Sequence, residues 1–137
     1  MQYIGHVRGN ALIYLSPQEI PDSSTNEQLC RYFASVLGTV PAPWILVINC
    51  AGANLMQLSS AKRVNTILRT EYSDKICETW LMNTSSIVRG AMNLFLTKSD
   101  EAATLICLET DRLGLFVQLQ RIGCSHTLVD WFIQKLR

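Results

Sequence analysis

Short apolar runs that alternate with stretches of helical periodicity constrain the fold of this chain more than any other feature. The four runs cover residues 11–15, 44–50, 76–82 and 104–108. The run at 44–50 is almost continuously apolar and rich in β-branched residues, which is typical of a strand covered on both faces. Strands and helices in alternation build an α/β sandwich. The sequence therefore predicts an α/β fold with a mainly parallel sheet of four to five strands and helices on its faces.

Five stretches place apolar residues at helical spacing and are predicted to be helices. They cover residues 25–37, 58–72, 85–96, 111–122 and 126–137. Ser23 and Ser24 are the candidate caps of the first of these helices. Asp111 is the candidate cap of the fourth, and Gly123 follows its end. A further strand at 3–7, joined to the first apolar run by turn-like residues, would be the fifth strand of the sheet.

Length and composition fit one globular domain that spans residues 1–137. A chain of 137 residues lies within the usual range of a single domain. Hydrophobic residues make up 48% and charged residues 17% of the chain, which excludes extensive disorder. Twelve basic and eleven acidic residues leave a net charge of +1. Because there is no basic excess, we expect no nucleic acid partner.

The cysteines and the first residues favour a cytoplasmic protein. The five cysteines are an odd number and form no C-x-x-C pair, which indicates neither a disulfide framework nor a zinc site. We expect reduced cysteines in the core, no metal and no cofactor. The N-terminal residues lack the pattern of a secretory signal, and no uncharged apolar stretch is long enough to span a membrane. The predicted location is the cytoplasm, with peripheral contact to membranes as an open alternative.

Sequence motifs for catalysis are sparse. Residues 49–54 follow a strand but contain one glycine where a dinucleotide fingerprint needs three. There is no G-x-S-x-G nucleophile motif, and His6 and His126 are the two histidines. Cys124 and His126 are two positions apart and form a candidate reactive pair, although a loop before the last helix explains them more simply. The sequence therefore predicts that the protein is not an enzyme.

Polar residues follow the predicted parallel strands, at the edge of the sheet where α/β proteins usually bind ligands. The candidate ligand-binding residues are Asn49, Asn83, Ser86 and Arg89. Hydroxyl and amide groups can hydrogen-bond a ligand, but the same groups also cap helices. Arg89 could clamp a phosphate together with the cap groups at 84–86, or it could be a surface arginine.

The last predicted helix carries the candidate partner-binding residue. Trp131 lies beside Phe132 and Ile133 in a stretch whose apolar residues form one stripe. Packing of this stripe on the sheet is the simpler interpretation, and docking of a partner or a membrane surface is the alternative. Trp131 is the residue of this stripe that we expect to be exposed.

Three blocks of the chain follow the pattern of a known family. They are the strand and turn at 44–52, Glu71-Tyr72 with residues 75–83 and Ile87, and the stretch 86–95 with the strand at 104–108. Together they resemble the CRAL-TRIO lipid-binding domain, the family of phosphatidylinositol- and tocopherol-transfer proteins. The similarity is closest to the shorter BCH-type branch, which occurs beside Rho GTPase-activating domains. The resemblance implies a CRAL-TRIO-like fold for nearly the whole chain.

The chain departs from the family pattern at several places. Asn49 stands where the family commonly has Asp, and Thr84-Ser85 stands where it commonly has Pro. The link at 95–104 is short, whereas in the transfer proteins this region carries the gate helix over the lipid cavity. A domain that keeps the fold as a platform for protein interactions needs no such cavity.

Three functions remain open at this point. The first is a non-catalytic CRAL-TRIO-like module that acts as a protein-interaction scaffold or adaptor, towards a small GTPase or a second copy of itself. The alternative is a lipid-binding or lipid-transfer protein, which the resemblance implies more directly. A hydrolase is less favoured, because no acid, base and nucleophile converge in the sequence.

Overall fold

The computed structural model describes residues 1–21, 23–51, 55–86 and 104–136. The strands are β1 (Gln2–Val7), β2 (Asn10–Leu15), β3 (Trp44–Asn49), β4 (Ile76–Met82) and β5 (Thr104–Cys107). The helices are α1 (Asn26–Leu37), α2 (Leu55–Tyr72), α3 (Arg112–Ile122) and α4 (His126–Gln134), with a 3₁₀ turn at Pro17–Glu19. The predicted α/β class is confirmed. Most of the predicted helix at 85–96 lies outside the described residues.

The five strands form one mixed sheet in the order β1-β2-β3-β4-β5. β1 pairs antiparallel with β2, whereas β2, β3, β4 and β5 pair with one another in parallel. Arg8 and Gly9 connect β1 to β2 with positive φ angles of 51° and 78°. Two central residues with positive φ make the tight turn that matches the twist of a β-hairpin. The further strand expected at 3–7 is therefore confirmed.

One face of the sheet is covered by α1 and α2. Leu29, Phe33 and Leu37 of α1 are buried at intervals of four residues, and Val64 and Leu68 of α2 join the same core cluster. Interval-four spacing places side chains on one side of a helix. These helix residues and the alternate side chains of the central strands form the first core cluster.

The cap of α1 differs from the expected one. Thr25, rather than Ser23 or Ser24, accepts a hydrogen bond from the backbone N–H of Gln28, and the Gln28 side chain accepts one from the Thr25 N–H. This reciprocal pair satisfies two backbone N–H groups at once. It requires a cap three residues before Gln28, and that residue is Thr25 rather than Ser23 or Ser24.

The opposite face of the sheet is covered by α3 and α4. Leu115 and Leu119 of α3 and Phe132 of α4 are buried with Trp80 of β4 in the second core cluster. In β3 the buried side chains alternate between the two clusters, so this strand is covered on both faces as predicted. Asp111 caps α3, Gly123 ends it with φ of 105°, and Ser125 caps α4. The short loop between α3 and α4 therefore brings the C-terminal helix back across the sheet.

Candidate functional site

The carboxyl ends of β3 and β4 bring two of the candidate ligand-binding residues together. Asn49 ends β3, and Asn83 follows the last residue of β4. The Asn83 side-chain amide donates from Nδ2 to Asn49 Oδ1 over 2.9 Å. The backbone N–H of Cys50 also donates to the Met82 carbonyl oxygen over 2.9 Å. The two asparagines, 34 residues apart in the chain, thus meet at the sheet edge.

The remaining polar atoms of the Asn49 side chain are used inside the protein. Nδ2 donates to the hydroxyl oxygen of Tyr14 over 2.9 Å, and Oδ1 also accepts from the backbone N–H of Ala51 over 3.0 Å. An asparagine that bonds its own backbone two residues on fixes the start of a turn. Asn49 therefore connects β2, the turn after β3 and the end of β4.

Asn83 has an unusual backbone conformation and links the sheet to the last helix. Its φ angle is 55°, a region that asparagine tolerates better than most residues with a side chain. Its Nδ2 also donates to the carbonyl oxygen of Lys135 over 2.9 Å, just after α4 ends. The side chain thus holds the C-terminal end of α4 against the end of β4.

A polar cleft of about 560 Å³ opens beside this pair. Ser16, Gln18, Glu19, Asn49, Gln134 and Lys135 contribute its polar lining. The ammonium group of Lys135 lies 5.7 Å from the ring centre of Tyr14 and 5.5 Å from that of Trp131, within the range of cation–π attraction. With one cation and one carboxylate in its lining, the cleft suits a small polar group and carries no net charge that would select an anion.

The other predicted site residues have different positions. Ser86 is exposed after Thr84, which is buried. Arg89 lies outside the described residues. Trp131 is half-buried, and its ring packs edge-on against Tyr14 at 4.9 Å and Phe132 at 5.1 Å between ring centres. The structure thus places Trp131 in contact with the second core cluster, next to the polar cleft.

The candidate reactive pair has the wrong electrostatics for a nucleophile. Burial raises the pKa of the Cys124 thiol to about 11, although the charge of Arg8 acts in the opposite direction. A thiol with this pKa is almost wholly protonated at neutral pH, and the thiolate is the reactive form. His126 is the exposed first residue of α4, and His6 shares a hydrogen bond with Tyr3 on β1. Within the described ranges, no group of three or more potential ligand side chains could hold a metal ion.

Three of the exposed large apolar side chains lie next to one another on α3. Leu113 is 74% exposed, Phe116 is 36% exposed and Val117 is 38% exposed, and we call these three residues the α3 stripe. This surface was not predicted from the sequence. One sequence signal points to this surface. Leu115 and Leu119 already account for the buried side of α3, so its other apolar residues lie on a second side of the helix.

Gln118 fixes which side of α3 faces the sheet. Its Nε2 donates to the Cys107 carbonyl oxygen over 3.2 Å, and its Oε1 accepts from the Glu109 N–H over 2.8 Å. This pair of bonds ties the helix to the end of β5 and turns Leu113 and Val117 outward. An open groove of about 650 Å³ runs along this side of the helix between Ile106 of β5 and the α3 side chains.

Comparisons of the chain with protein-family models, with curated proteins and with solved structures find no match. The resemblance to CRAL-TRIO domains stays a proposal. Among the helices in the described part of the chain, none is long and apolar enough to cross a membrane.

Proposed function

We propose that this chain is a non-catalytic, CRAL-TRIO-like binding module that acts as a protein-interaction scaffold or adaptor. The observation that carries the proposal is the α3 stripe, formed by Leu113, Phe116 and Val117. Contiguous exposed apolar side chains on a helix are typical of surfaces that bind another protein. Full burial of a wholly exposed side chain of this kind contributes about 1.5–3 kcal/mol, and Leu113, which is 74% exposed, has the largest share still to bury.

The filled core supports a surface function over an enclosed lipid. Phe33 and Leu68 are completely buried against one face of the sheet, and Trp80 and Phe132 are completely buried on the other. In these parts of the described fold, protein side chains occupy the space between helices and sheet. The alternative of a lipid-binding or lipid-transfer protein would need a cavity that holds an acyl chain.

The high pKa of the Cys124 thiol supports a function without catalysis. The polar cleft adds an amine and a carboxylate, from Lys135 and Glu19, but its described lining contains no histidine or cysteine. An acid, a base and a nucleophile in mutual contact are the usual requirement for hydrolysis. We therefore assign the polar cleft a supporting role and the α3 stripe the main binding role.

The resemblance suggests which proteins to test as partners. The BCH-type branch occurs beside Rho GTPase-activating domains, so a small GTPase in the cytoplasm or at a membrane surface is one candidate. A second copy of the chain is the other. Both would bury the apolar side chains of the α3 stripe.

Site-specific photo-crosslinking in cells that express the chain tests the proposal. A photoreactive amino acid replaces Leu113 in one variant and Arg31, an exposed residue of α1 in the opposite helical layer, in the control. We expect a covalent protein adduct from position 113 and none from position 31. Equal adducts at both positions, or none at 113, would overturn the proposed surface.

Native mass spectrometry of the purified chain separates the proposal from the lipid alternative. We expect the mass of the polypeptide, or of its assemblies, without a bound small molecule. A mass increment that matches a lipid and disappears on denaturation would favour the lipid-binding function instead.

A further inference from the structure

We infer that the partner of the α3 stripe is a second copy of this chain, packed with its α3 antiparallel to the first about a twofold axis. This inference rests on the proposed function and names the partner at that surface. Dimers with twofold symmetry use the same patch on both subunits, so the patch must be complementary to itself. The charges and the apolar residues of α3 both meet this condition.

Opposite charges lie at the two ends of the α3 surface. Glu109 and Asp111 lie at the N-terminal end of the groove, and Arg121 lies in the last turn of the helix. A rise of about 1.5 Å per residue separates Asp111 from Arg121 by about 15 Å along the axis. The side chains of Glu109 and Arg121 make no ion pair within the described ranges. In an antiparallel pair, each Arg121 faces the acidic end of the other copy.

The apolar residues of α3 fit this antiparallel arrangement. When Arg121 lies opposite Glu109 of the second copy, Val117 lies opposite Leu113. A Cβ atom at Gly114 would lie 2.6 Å from Oδ1 of Asp111, so the Asp111 carboxylate fills the space beside this glycine. The isopropyl group of Val117 therefore packs against Leu113 of the facing helix rather than against Gly114.

The size of the surface predicts a weak dimer. α3 has 11 residues, which gives a helix about 16 Å long. One helix face of this length is smaller than the surface of a standard stable interface. We therefore expect a dissociation constant of about 10–100 µM. Leu113 and Val117 supply the apolar contact. The pairing of each Arg121 with the acidic end of the other copy sets the antiparallel direction of the two helices.

Sedimentation velocity of the purified full chain tests this inference over a protein concentration range that brackets the expected constant. We expect the wild-type chain to pass from monomer to dimer as its concentration rises. Leu113→Asp places a charge in the centre of the contact and should weaken dimerisation at least tenfold. Arg31→Glu on α1 is the matched surface control and should dimerise like the wild type. A chain that stays monomeric throughout, or a dimer that Leu113→Asp does not weaken, would overturn the inference.

Two charge reversals test the antiparallel register directly. In a dimer of the Arg121→Glu variant, a glutamate faces the acidic end of the other copy at both ends of the contact. In a dimer of the Glu109→Arg variant, two arginines face each other at both ends. Each variant should therefore dimerise at least fivefold more weakly than the wild type. When the two variants are mixed, a dimer of one copy of each has opposite charges at both ends of the contact. The mixture should therefore form a heterodimer. A mixture that associates no better than the separate variants would contradict the register, and thermal unfolding of each variant checks that it is folded.

The outcomes distinguish this inference from the proposed function. A monomeric purified chain whose position 113 crosslinks to a different protein overturns the dimer and leaves the interaction module in place. A chain that neither dimerises nor forms an adduct at position 113 overturns both.

Discussion

Asn83 donates a hydrogen bond to Asn49 over 2.9 Å and thereby joins the ends of two neighbouring parallel strands. Asn49 in turn bonds the Tyr14 hydroxyl and the backbone N–H of Ala51. Asn83 reaches the carbonyl oxygen of Lys135 beyond α4. The two amides therefore connect three strands and the last helix at the edge where a ligand was expected from the sequence.

Replacement of Asn49 by alanine should destabilise the fold. Asn49→Ala removes the partner of Tyr14, Ala51 and Asn83, and a partly buried polar group that loses its partner costs about 1–3 kcal/mol. We expect the free energy of unfolding in urea to fall by that amount. Ser35→Ala, at an exposed serine of α1, is the control and should change it by less than about 0.5 kcal/mol.

Asn49→Asp distinguishes a hydrogen-bonding role from a specific need for the amide. A carboxylate still accepts from the Ala51 N–H and from Asn83 Nδ2, and the Tyr14 hydroxyl can turn to donate to it. We expect Asn49→Asp to lose less than half of the stability that Asn49→Ala loses. Equal losses in the two variants, or no loss in either, would contradict the structural role of Asn49.

The strands and most helix limits could be predicted from the sequence because local pattern determines them. The continuous apolar run at 44–50 forms β3, which is buried on both faces, and Asp111 and Gly123 mark the two ends of α3 as predicted. The cap of α1 depended on a reciprocal side-chain pair, Thr25 with Gln28, so the nearest serines gave the wrong residue. Local signals suffice where the interaction partners are three or four residues apart.

The contacts at the candidate site could be predicted only in part. The sequence places Asn49 and Asn83 at one sheet edge, but their mutual bond depends on the register between β3 and β4. The exposed side of α3 could not be read from periodicity, because the helix is apolar on two sides. Its rotation is set by the bonds of Gln118 to the end of β5, which are contacts between different elements.

The Cys124 thiol should react slowly with alkylating reagents. Burial raises its pKa from 9.0 to about 11, so at neutral pH the thiolate fraction is about a hundredfold smaller than for an ordinary thiol of the lower pKa. The alkylation rate should therefore rise with pH until the pH approaches 11. Mass spectrometry of the peptide that contains Cys124 measures this rate.

The same peptide in urea provides the control for Cys124. Unfolding exposes the thiol to water and returns its pKa to the ordinary value, so alkylation at neutral pH should be at least about tenfold faster than in the folded protein, because the gain in thiolate fraction exceeds the loss in thiolate nucleophilicity. A folded-state rate equal to the rate in urea would revive the Cys124–His126 pair as a nucleophile candidate.

Gly114 and Asp111 should be energetically coupled. The Asp111 carboxylate accepts from the Gly114 N–H over 2.8 Å, and a Cβ at position 114 would collide with it. Asp111→Ala should cost about 0.5–2 kcal/mol of stability through the lost cap. Gly114→Ala should also destabilise the wild-type chain, although alanine favours a helix over glycine by about 1 kcal/mol.

In the Asp111→Ala background, Gly114→Ala should instead stabilise the protein. The colliding carboxylate is then absent, and the higher helix propensity of alanine remains. Urea unfolding of the four proteins gives the coupling free energy as a double-mutant cycle. An effect of Gly114→Ala with the same sign and size in both backgrounds would show that the two residues are independent.

Trp131 should contribute to folding stability rather than to the dimer contact on α3. Its ring packs against Tyr14 and Phe132, and the Lys135 ammonium lies 5.5 Å from its centre. Because the side chain is half-buried, Trp131→Ala should lower the free energy of unfolding in urea by about 2 kcal/mol, below the range for fully buried aromatic residues. Leu113→Ala on the exposed stripe is the control and should change it by less than about 0.5 kcal/mol. If Trp131→Ala kept wild-type stability but weakened dimerisation in sedimentation experiments, Trp131 would belong to the interaction surface, as the sequence suggested.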